Sequence, residues 1–298
     1  MTPRPLVGCG TAMVTPFTKD GDIDEAALRK LVEWQLAEGV HFIVPCGSTG
    51  EAATMTPGEH SRVVEITAGV VNGRVPVVAG AGSNDTTKAI GLSKAMKEAG
   101  ATHLLHVSPM YNKPPQRGIL EHFHRIADAV DLPIVIYNVP GRTSSNIETR
   151  TTLALAEIPN IVGVKEASGN LSQIADILRD RPSGFAVLSG DDAITLPIML
   201  LGGDGVISVV SNATPRPMAE LIEAAARGDW ETARAMHELL SPWMAAAFVE
   251  SNPIPVKAAL AMMGRIENVL RLPLVPLADQ YVARVHASLE AAGAVMAA

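Results

Sequence analysis

Cysteine is scarce. The 298-residue chain has two, Cys9 and Cys46. They are too few and too far apart for a disulfide framework, and they lack metal-ligand spacing. A reducing, cytoplasmic setting is therefore expected. Aromatic residues make up 4% of the sequence, which leaves no series of rings on which nucleic-acid bases would stack. Positive charge is not in excess either: 24 Lys and Arg stand against 31 Asp and Glu, a net charge of −7. Without a basic stripe, a nucleic-acid partner is disfavoured. No apolar run approaches the ~18 residues of a transmembrane helix, and residues 1–10 carry no basic-plus-apolar leader pattern. Neither an H-E-x-x-H sequence nor a cysteine cluster is present to suggest a metal. Gly80 and Gly82 open a G-x-G, but Asp85 occupies the third glycine position, so the dinucleotide fingerprint is missing.

What is present is a regular alternation. Short apolar runs predict strands over 10–14, 41–45, 75–79, 103–107, 133–137, 161–165, 185–189 and 205–209. They are apolar throughout rather than alternating, as strands buried on both faces of a parallel sheet should be. Helical periodicity fills the gaps over 24–38, 56–71, 85–99, 117–130, 148–156, 171–181, 192–201 and 215–227. Pro57 falls in the first turn of its window, where a missing N–H costs little. Strand–helix units repeated in this way predict an α/β fold, a (β/α)8 TIM barrel. From the pattern alone an open doubly wound sheet is the alternative. Beyond about residue 228 only helical windows remain, over 230–249, 255–263 and 276–291. The expected organisation is a catalytic barrel over 1–227 with a C-terminal helical extension over 228–298.

In a barrel the chemistry collects at the C-terminal ends of the strands. The sixth predicted strand ends in Lys165, inside GVKEASGN. Lysine is almost never buried without a reason. Burial lowers its pKa and yields a neutral amine able to attack a ketone and form a Schiff base. Two of the three tyrosines, Tyr111 and Tyr137, fall after adjacent strands. A phenol there can pass protons during imine formation, although a core ring with a wet hydroxyl would look the same in sequence. After the second strand the turn Gly47-Ser48-Thr49-Gly50-Glu51 offers two hydroxyls and small-residue N–H groups to a carboxylate, or serves only as a tight turn. Arg142, in YNVPGRT, presents a planar fork suited to a carboxylate. Asp191 and Asp192 end the seventh strand and read as helix N-caps.

In order along the chain stand GSTGE at 47–51, SPMYNKP at 108–114, YNVPGRT at 137–143, GVKEASGN at 163–170, SGDD at 189–192, GVIS at 205–208 and NPIPVK at 252–257. Together they resemble the dihydrodipicolinate synthase family, within the superfamily of pyruvate-dependent Schiff-base aldolases that includes N-acetylneuraminate lyase. The resemblance runs from about residue 6 to the C-terminus. It implies condensation of pyruvate with L-aspartate 4-semialdehyde in lysine (diaminopimelate) biosynthesis, with no metal or organic cofactor. Lys165 would carry the Schiff base. Thr49 and neighbouring N–H groups would hold the pyruvate carboxylate. Tyr137, Ser48 and Tyr111 would form a proton relay, with Tyr111 supplied across a dimer within a homotetramer. Arg142 would bind the semialdehyde carboxylate, and the backbone at Gly190 and Ile207 would line the site.

Ser48 departs from the Thr usual in the synthases and is common among the lyases. A lyase or aldolase acting on sialate or 2-keto-3-deoxygluconate is therefore the alternative activity, and a non-catalytic small-acid-binding barrel is a further one. Lysine-sensitive members bind lysine at the dimer interface. Here His60 and Asn84 match that site, whereas Lys88 stands at the carboxylate position, Met110 at the aromatic one and Pro57 where some members have His. Weak or absent inhibition by lysine is expected.

Overall fold

The structure is a computed structural model that describes residues 6–294 and 296; the expected outer domain limits, 1 and 298, lie outside these. The elements follow in strict alternation: β1 (Gly8–Ala12), α1 (Glu25–Ala37), β2 (Phe42–Val44), α2 (Pro57–Val71), β3 (Val78–Gly80), α3 (Thr86–Glu98), β4 (His103–Val107), α4 (Gln116–Ala129) and β5 (Ile134–Asn138). A short α5 (Pro140–Thr143) and α6 (Thr149–Ala156) come next, then β6 (Ile161–Glu166), α7 (Leu171–Asp180), β7 (Ala186–Ser189), α8 (Thr195–Leu200), β8 (Gly205–Ser208) and α9 (Pro215–Ala226). Three further helices follow: α10 (Trp230–Ala246), α11 (Ile254–Met262) and α12 (Asp279–Ala291).

The eight strands are parallel, in the order β2-β1-β8-β7-β6-β5-β4-β3. The two ends of that order meet: Ile43 bridges Val77, the Ile43 N–H donates to Pro76 O at 3.0 Å, and the Gly80 N–H donates to Pro45 O at 3.0 Å. The sheet is thereby closed, and the TIM barrel rather than the open sheet is the fold.

Strand periodicity divides the core in two. Side chains that point inward, among them Phe42, Val44, Val78, Leu105, Val135, Tyr137, Leu188 and Ile207, form one cluster inside the barrel. The alternate residues, such as Ile43, Leu104, Ile134, Ile136, Val164 and Val187, join the helices in a larger outer layer. The interior is filled rather than hollow. A Cβ on Gly10 would fall 1.9 Å from the Phe42 ring, so the glycine is what admits that ring to the barrel floor.

Two strands begin two or more residues away from their predicted positions. β1 starts at Gly8 because its glycines, which look like breakers in sequence, accommodate neighbours; a Cβ on Gly8 would lie 2.4 Å from the His41 side chain. β3 starts at Val78 rather than 75, since Pro76 has no N–H to give a ladder. The window 192–201 splits into a single 3-10 turn, Asp192–Ile194, followed by α8. Helix α2 opens as its sequence specifies: Thr56 caps the Glu59 N–H, and Glu59 returns the bond to the Thr56 N–H at 2.8 Å.

Helix α10 packs along α9 and α12, and its Trp243 indole N–H donates to Val210 O at 3.2 Å. Helix α11 is almost entirely buried. Among the described residues, no helix is long and apolar enough to cross a membrane.

Candidate active site

Lys165 stands at the end of β6, directly opposite Tyr137 of β5 in the strand register. Both side chains point into the barrel, because each occupies an inward position two residues beyond another (Gly163 and Val135). Lys165 is 5% exposed, and its Nζ lies 4.3 Å from the centroid of the Tyr137 ring. Burial brings the Lys165 ammonium down to about 8. The Asp192 carboxylate partly counters this shift and the Arg142 charge adds to it. Burial also pushes the Tyr137 phenol up to about 12, against the opposing influence of Arg142, so near neutrality Tyr137 holds its proton. A poised amine and a protonated phenol therefore share one wall.

Gly190 follows β7 beside Lys165. A Cβ there would lie 2.9 Å from Lys165 Cε and 3.0 Å from its Cγ, so the missing side chain makes room for the lysine stem. Ile207, on β8, is fully buried within the same interior cluster.

Outside the barrel wall, Glu166 backs the site. It accepts hydrogen bonds from Asn138 Nδ2 at 2.6 Å and Ser168 Oγ at 2.7 Å. Burial raises its pKa to about 7, and those hydrogen bonds act in the opposite direction. Asn138 also accepts from the Ile147 N–H at 2.9 Å. The residues next to Tyr137 and Lys165 are thus tied to each other, which fixes the register of β5 and β6 at the point where Tyr137 and Lys165 stand.

The turn after β2 is held in an unusual conformation. Cys46 and Glu51, at its two ends, have φ of 57° and 55°, values that non-glycine residues seldom adopt. Within it the N–H groups of Gly50, Glu51 and Ala52 bond back to Gly47 O and Ser48 O. Among the described residues, the N–H groups of Ser48 and Thr49 have no protein acceptor. Thr49 is buried and Ser48 is exposed.

The C-terminal helices reach this turn at two points. Asn252 Nδ2 donates to Thr49 Oγ1 at 2.9 Å. Lys257 of α11 donates to Glu51 Oε1 at 2.7 Å and to Thr15 O at 2.9 Å, with both ionic side chains fully buried. The second Glu51 oxygen accepts the Arg271 N–H at 3.0 Å. Asn252 and Lys257 both lie in the NPIPVK block, but nothing in its local pattern showed that it lands against a turn some 200 residues earlier.

Arg142 sits on α5 at the mouth, exposed, and its Nη2 donates to Asn252 O at 3.3 Å. Tyr111 lies apart from this cluster: it is 90% exposed, on the loop after β4, with φ of 71°. Lys165, Tyr137, Thr49, Gly190, Ile207 and Arg142 thus gather at one end of the barrel, while Tyr111 projects from the chain's surface.

The two acidic residues after β7 behave differently from each other. Asp191 is a cap, accepting the Ala193 N–H at 3.0 Å. Asp192 is not. It is buried and accepts the Val209 and Val210 N–H groups at 3.0 and 3.2 Å, which ties β7 to the turn after β8. Asp192 therefore joins β7 to the β8 turn and is not the helix cap that its position in the sequence predicts. The G-x-G at Gly80 also has a structural explanation: a Cβ on Gly80 would lie 2.0 Å from Cys46 O, and one on Gly82 would lie 2.7 Å from the Val107 N.

A model described as the dihydrodipicolinate synthetase family matches residues 5–292. The chain is 53% identical over 289 residues to the 4-hydroxy-tetrahydrodipicolinate synthase of Koribacter versatilis, covering 97% of this chain and 96% of that one. Among solved structures, the dihydrodipicolinate synthase of Aquifex aeolicus superposes with a TM-score of 0.96 at 42% identity, covering 98% of this chain and 100% of the other. The chloride-inhibited dihydrodipicolinate synthase of Acinetobacter baumannii, complexed with pyruvate, superposes with a TM-score of 0.95 at 44% identity, covering 97% and 99%.

Proposed function

The chain belongs to the dihydrodipicolinate synthetase family, and from that membership we propose that its barrel condenses pyruvate with L-aspartate 4-semialdehyde. The product is 4-hydroxy-tetrahydrodipicolinate, in the first committed step of lysine and diaminopimelate biosynthesis. The observation that carries the chemistry is the Lys165–Tyr137 pair: a buried amine brought down to about 8 beside a phenol that keeps its proton.

The neutral Lys165 amine adds to the pyruvate ketone, and water leaves as the iminium forms. Tyr137 supplies and removes protons during this dehydration, in relay with Ser48 and with Tyr111 of a second copy. The iminium draws electrons from the adjacent methyl group, which loses a proton to give the enamine. The enamine carbon attacks the semialdehyde carbonyl, whose oxygen takes up a proton. The substrate's own amine then displaces Lys165 by transimination and closes the ring. Lysine itself supplies the electron sink, so the cycle needs no metal or organic cofactor.

Thr49 Oγ1 and the unengaged N–H groups of Ser48 and Thr49 hold the pyruvate carboxylate. Arg142 receives the carboxylate of the semialdehyde, and the backbone at Gly190 and Ile207 lines the space between. The division into a catalytic barrel over 1–227 and an extension over 228–298, a homotetramer that shares Tyr111 across a dimer, and a cytoplasmic location complete the reading. The exposure of Tyr111 supports the shared site.

The test is a coupled assay with both substrates on the wild type and on Lys165→Ala, alongside borohydride trapping with pyruvate. Turnover and a trapped adduct are expected in the wild type, with neither in the variant. Trapping without turnover on the semialdehyde would move the acceptor to a sugar-derived aldehyde.

A further inference from the structure

We propose that Asn252 is a positioning residue that orients the Thr49 hydroxyl toward the pyruvate carboxylate and sets its distance from Arg142; this rests on the Schiff-base reading above. Asn252 is 6% exposed and lies just before α11. Its Nδ2 donates to Thr49 Oγ1 at 2.9 Å. A threonine hydroxyl has one proton and two lone pairs. With one lone pair occupied by Asn252, the proton is left to point elsewhere, and Thr49 Oγ1 donates to no protein group among the described residues. The amide therefore turns Thr49 into a donor aimed at an anion. Its own carbonyl, Asn252 O, accepts Arg142 Nη2 at 3.3 Å. One residue thus touches both groups assigned to substrate carboxylates, through its side chain on one side and its main chain on the other.

Two observations make this more than packing. The buried Lys257–Glu51 pair anchors the far end of the same turn to α11, so the Asn252 contact is held at both its ends by rigid structure. The second amide atom, Asn252 Oδ1, is buried with no hydrogen-bond partner. An orphaned buried acceptor is destabilising, so stability alone does not account for an asparagine here.

The side chain and main chain can be separated by substitution. Asn252→Ala removes the contact to Thr49 and keeps the carbonyl to Arg142. The pyruvate concentration giving half-maximal borohydride-trapped adduct, and the KM for pyruvate, should each rise about tenfold, while the KM for the semialdehyde changes by less than about twofold. Asn252→Asp keeps the size but reverses the hydrogen bond, so that Thr49 donates to the new carboxylate instead of to substrate. Its pyruvate KM should rise at least as far as that of Asn252→Ala. In a Thr49→Val background Asn252→Ala should add little, since the two residues act as a unit.

The inference is overturned by a semialdehyde KM that moves in place of the pyruvate KM, by an Asn252→Asp variant that behaves as wild type, or by additive effects in the double variant. A wild type that traps no pyruvate sinks the Schiff-base reading and this inference with it. A wild type that traps pyruvate, with Asn252→Ala unchanged, sinks the role of Asn252 alone.

Discussion

Lys257 and Glu51, 206 residues apart in the chain, form an ion pair of 2.7 Å in which both side chains are completely buried. The lysine comes from the C-terminal α11 and the glutamate from the turn after β2, so the pair clamps the extension onto the mouth of the barrel. Burial lowers the pKa of Lys257, and Glu51 counters that shift. A second hydrogen bond goes to Thr15 O, and the centroid of the Phe17 ring lies 4.2 Å from the ammonium.

Removing one partner leaves the other as an uncompensated buried charge, which typically costs about 3–5 kcal/mol. Lys257→Met is expected to lose stability on that scale and to lower the chemical-denaturation midpoint accordingly. Pairing it with Glu51→Gln should restore most of the loss. An unshifted midpoint in Lys257→Met would show that the clamp contributes nothing to folding.

The pH dependence of Lys165 has a definite sign. Its folded value of about 8 lies below the ordinary 10.5, so it is a neutral nucleophile only as pH rises through about 8. The rate of pyruvate adduct formation should increase with pH up to that point and then level off. The same shift bears on stability. Between about 8 and 10.5 the unfolded chain binds the extra proton, so the cost of burying the cation is complete below 8 and is relieved across that window. Lys165→Met, expected to trap no pyruvate, should be more stable than wild type at neutral pH by about 1–3 kcal/mol. A thermal melt on each side of the window checks this.

Gly190→Ala tests how tightly the reactive lysine is placed. The new methyl would meet Ala167 Cβ at 2.8 Å and the Lys165 stem at 2.9 Å. The lysine must move, and turnover should fall by at least about tenfold, since small displacements of a reacting group are costly. The Lys165 stem can swing aside, but the Ala167 methyl moves only with its backbone, so a stability loss of about 1–3 kcal/mol should accompany the loss of activity. Mass spectrometry of the borohydride-treated protein reads the lost adduct directly.

Arg142→Ala separates acceptor binding from pyruvate chemistry. Arg142 is exposed, so stability should stay within about 0.5 kcal/mol of wild type. The KM for the semialdehyde should rise about 10- to 100-fold, the worth of a charged hydrogen bond, while pyruvate trapping remains. Equal losses in both assays would place Arg142 in the pyruvate step.

Lysine is expected to inhibit weakly or not at all. Lys88, which the family resemblance sets at the carboxylate position of the inhibitor site, is an exposed cation and would repel the ligand's amines. The His60 ring is already engaged with Gly80 O at 2.8 Å. Half-maximal inhibition by sub-millimolar lysine, measured in the coupled assay, would reverse this expectation.

The barrel was legible in the sequence because its physics is local and periodic. A strand buried on both faces has to be apolar along its length, and β4 is read from 103–107 to the residue. Lys165 was legible for the same reason, a cation ending a buried run. The ends of β1 and β3 were not. Gly8, Gly10 and Pro76 carry breaker signals, and only the neighbours they meet (His41, the Phe42 ring and the bridge beside Ile43) show why those residues stand where they do.

Asp192 had the local signature of a cap, yet its carboxylate is used by N–H groups on the next strand unit. Asn252 and Lys257 sat in a recognisable block without an assigned task, because their partners, Thr49 and Glu51, are brought to them only by closure of the barrel and packing of α11. By itself, the sequence determined the strand–helix alternation, the buried lysine and the residue types at the strand ends, all of which depend on period and polarity. The tertiary structure alone decided which hydroxyl meets Asn252, which carboxylate is caged by Lys257 and which end of the chain packs against that turn, because hydrogen bonds and desolvation depend on distances that sequence separation does not encode.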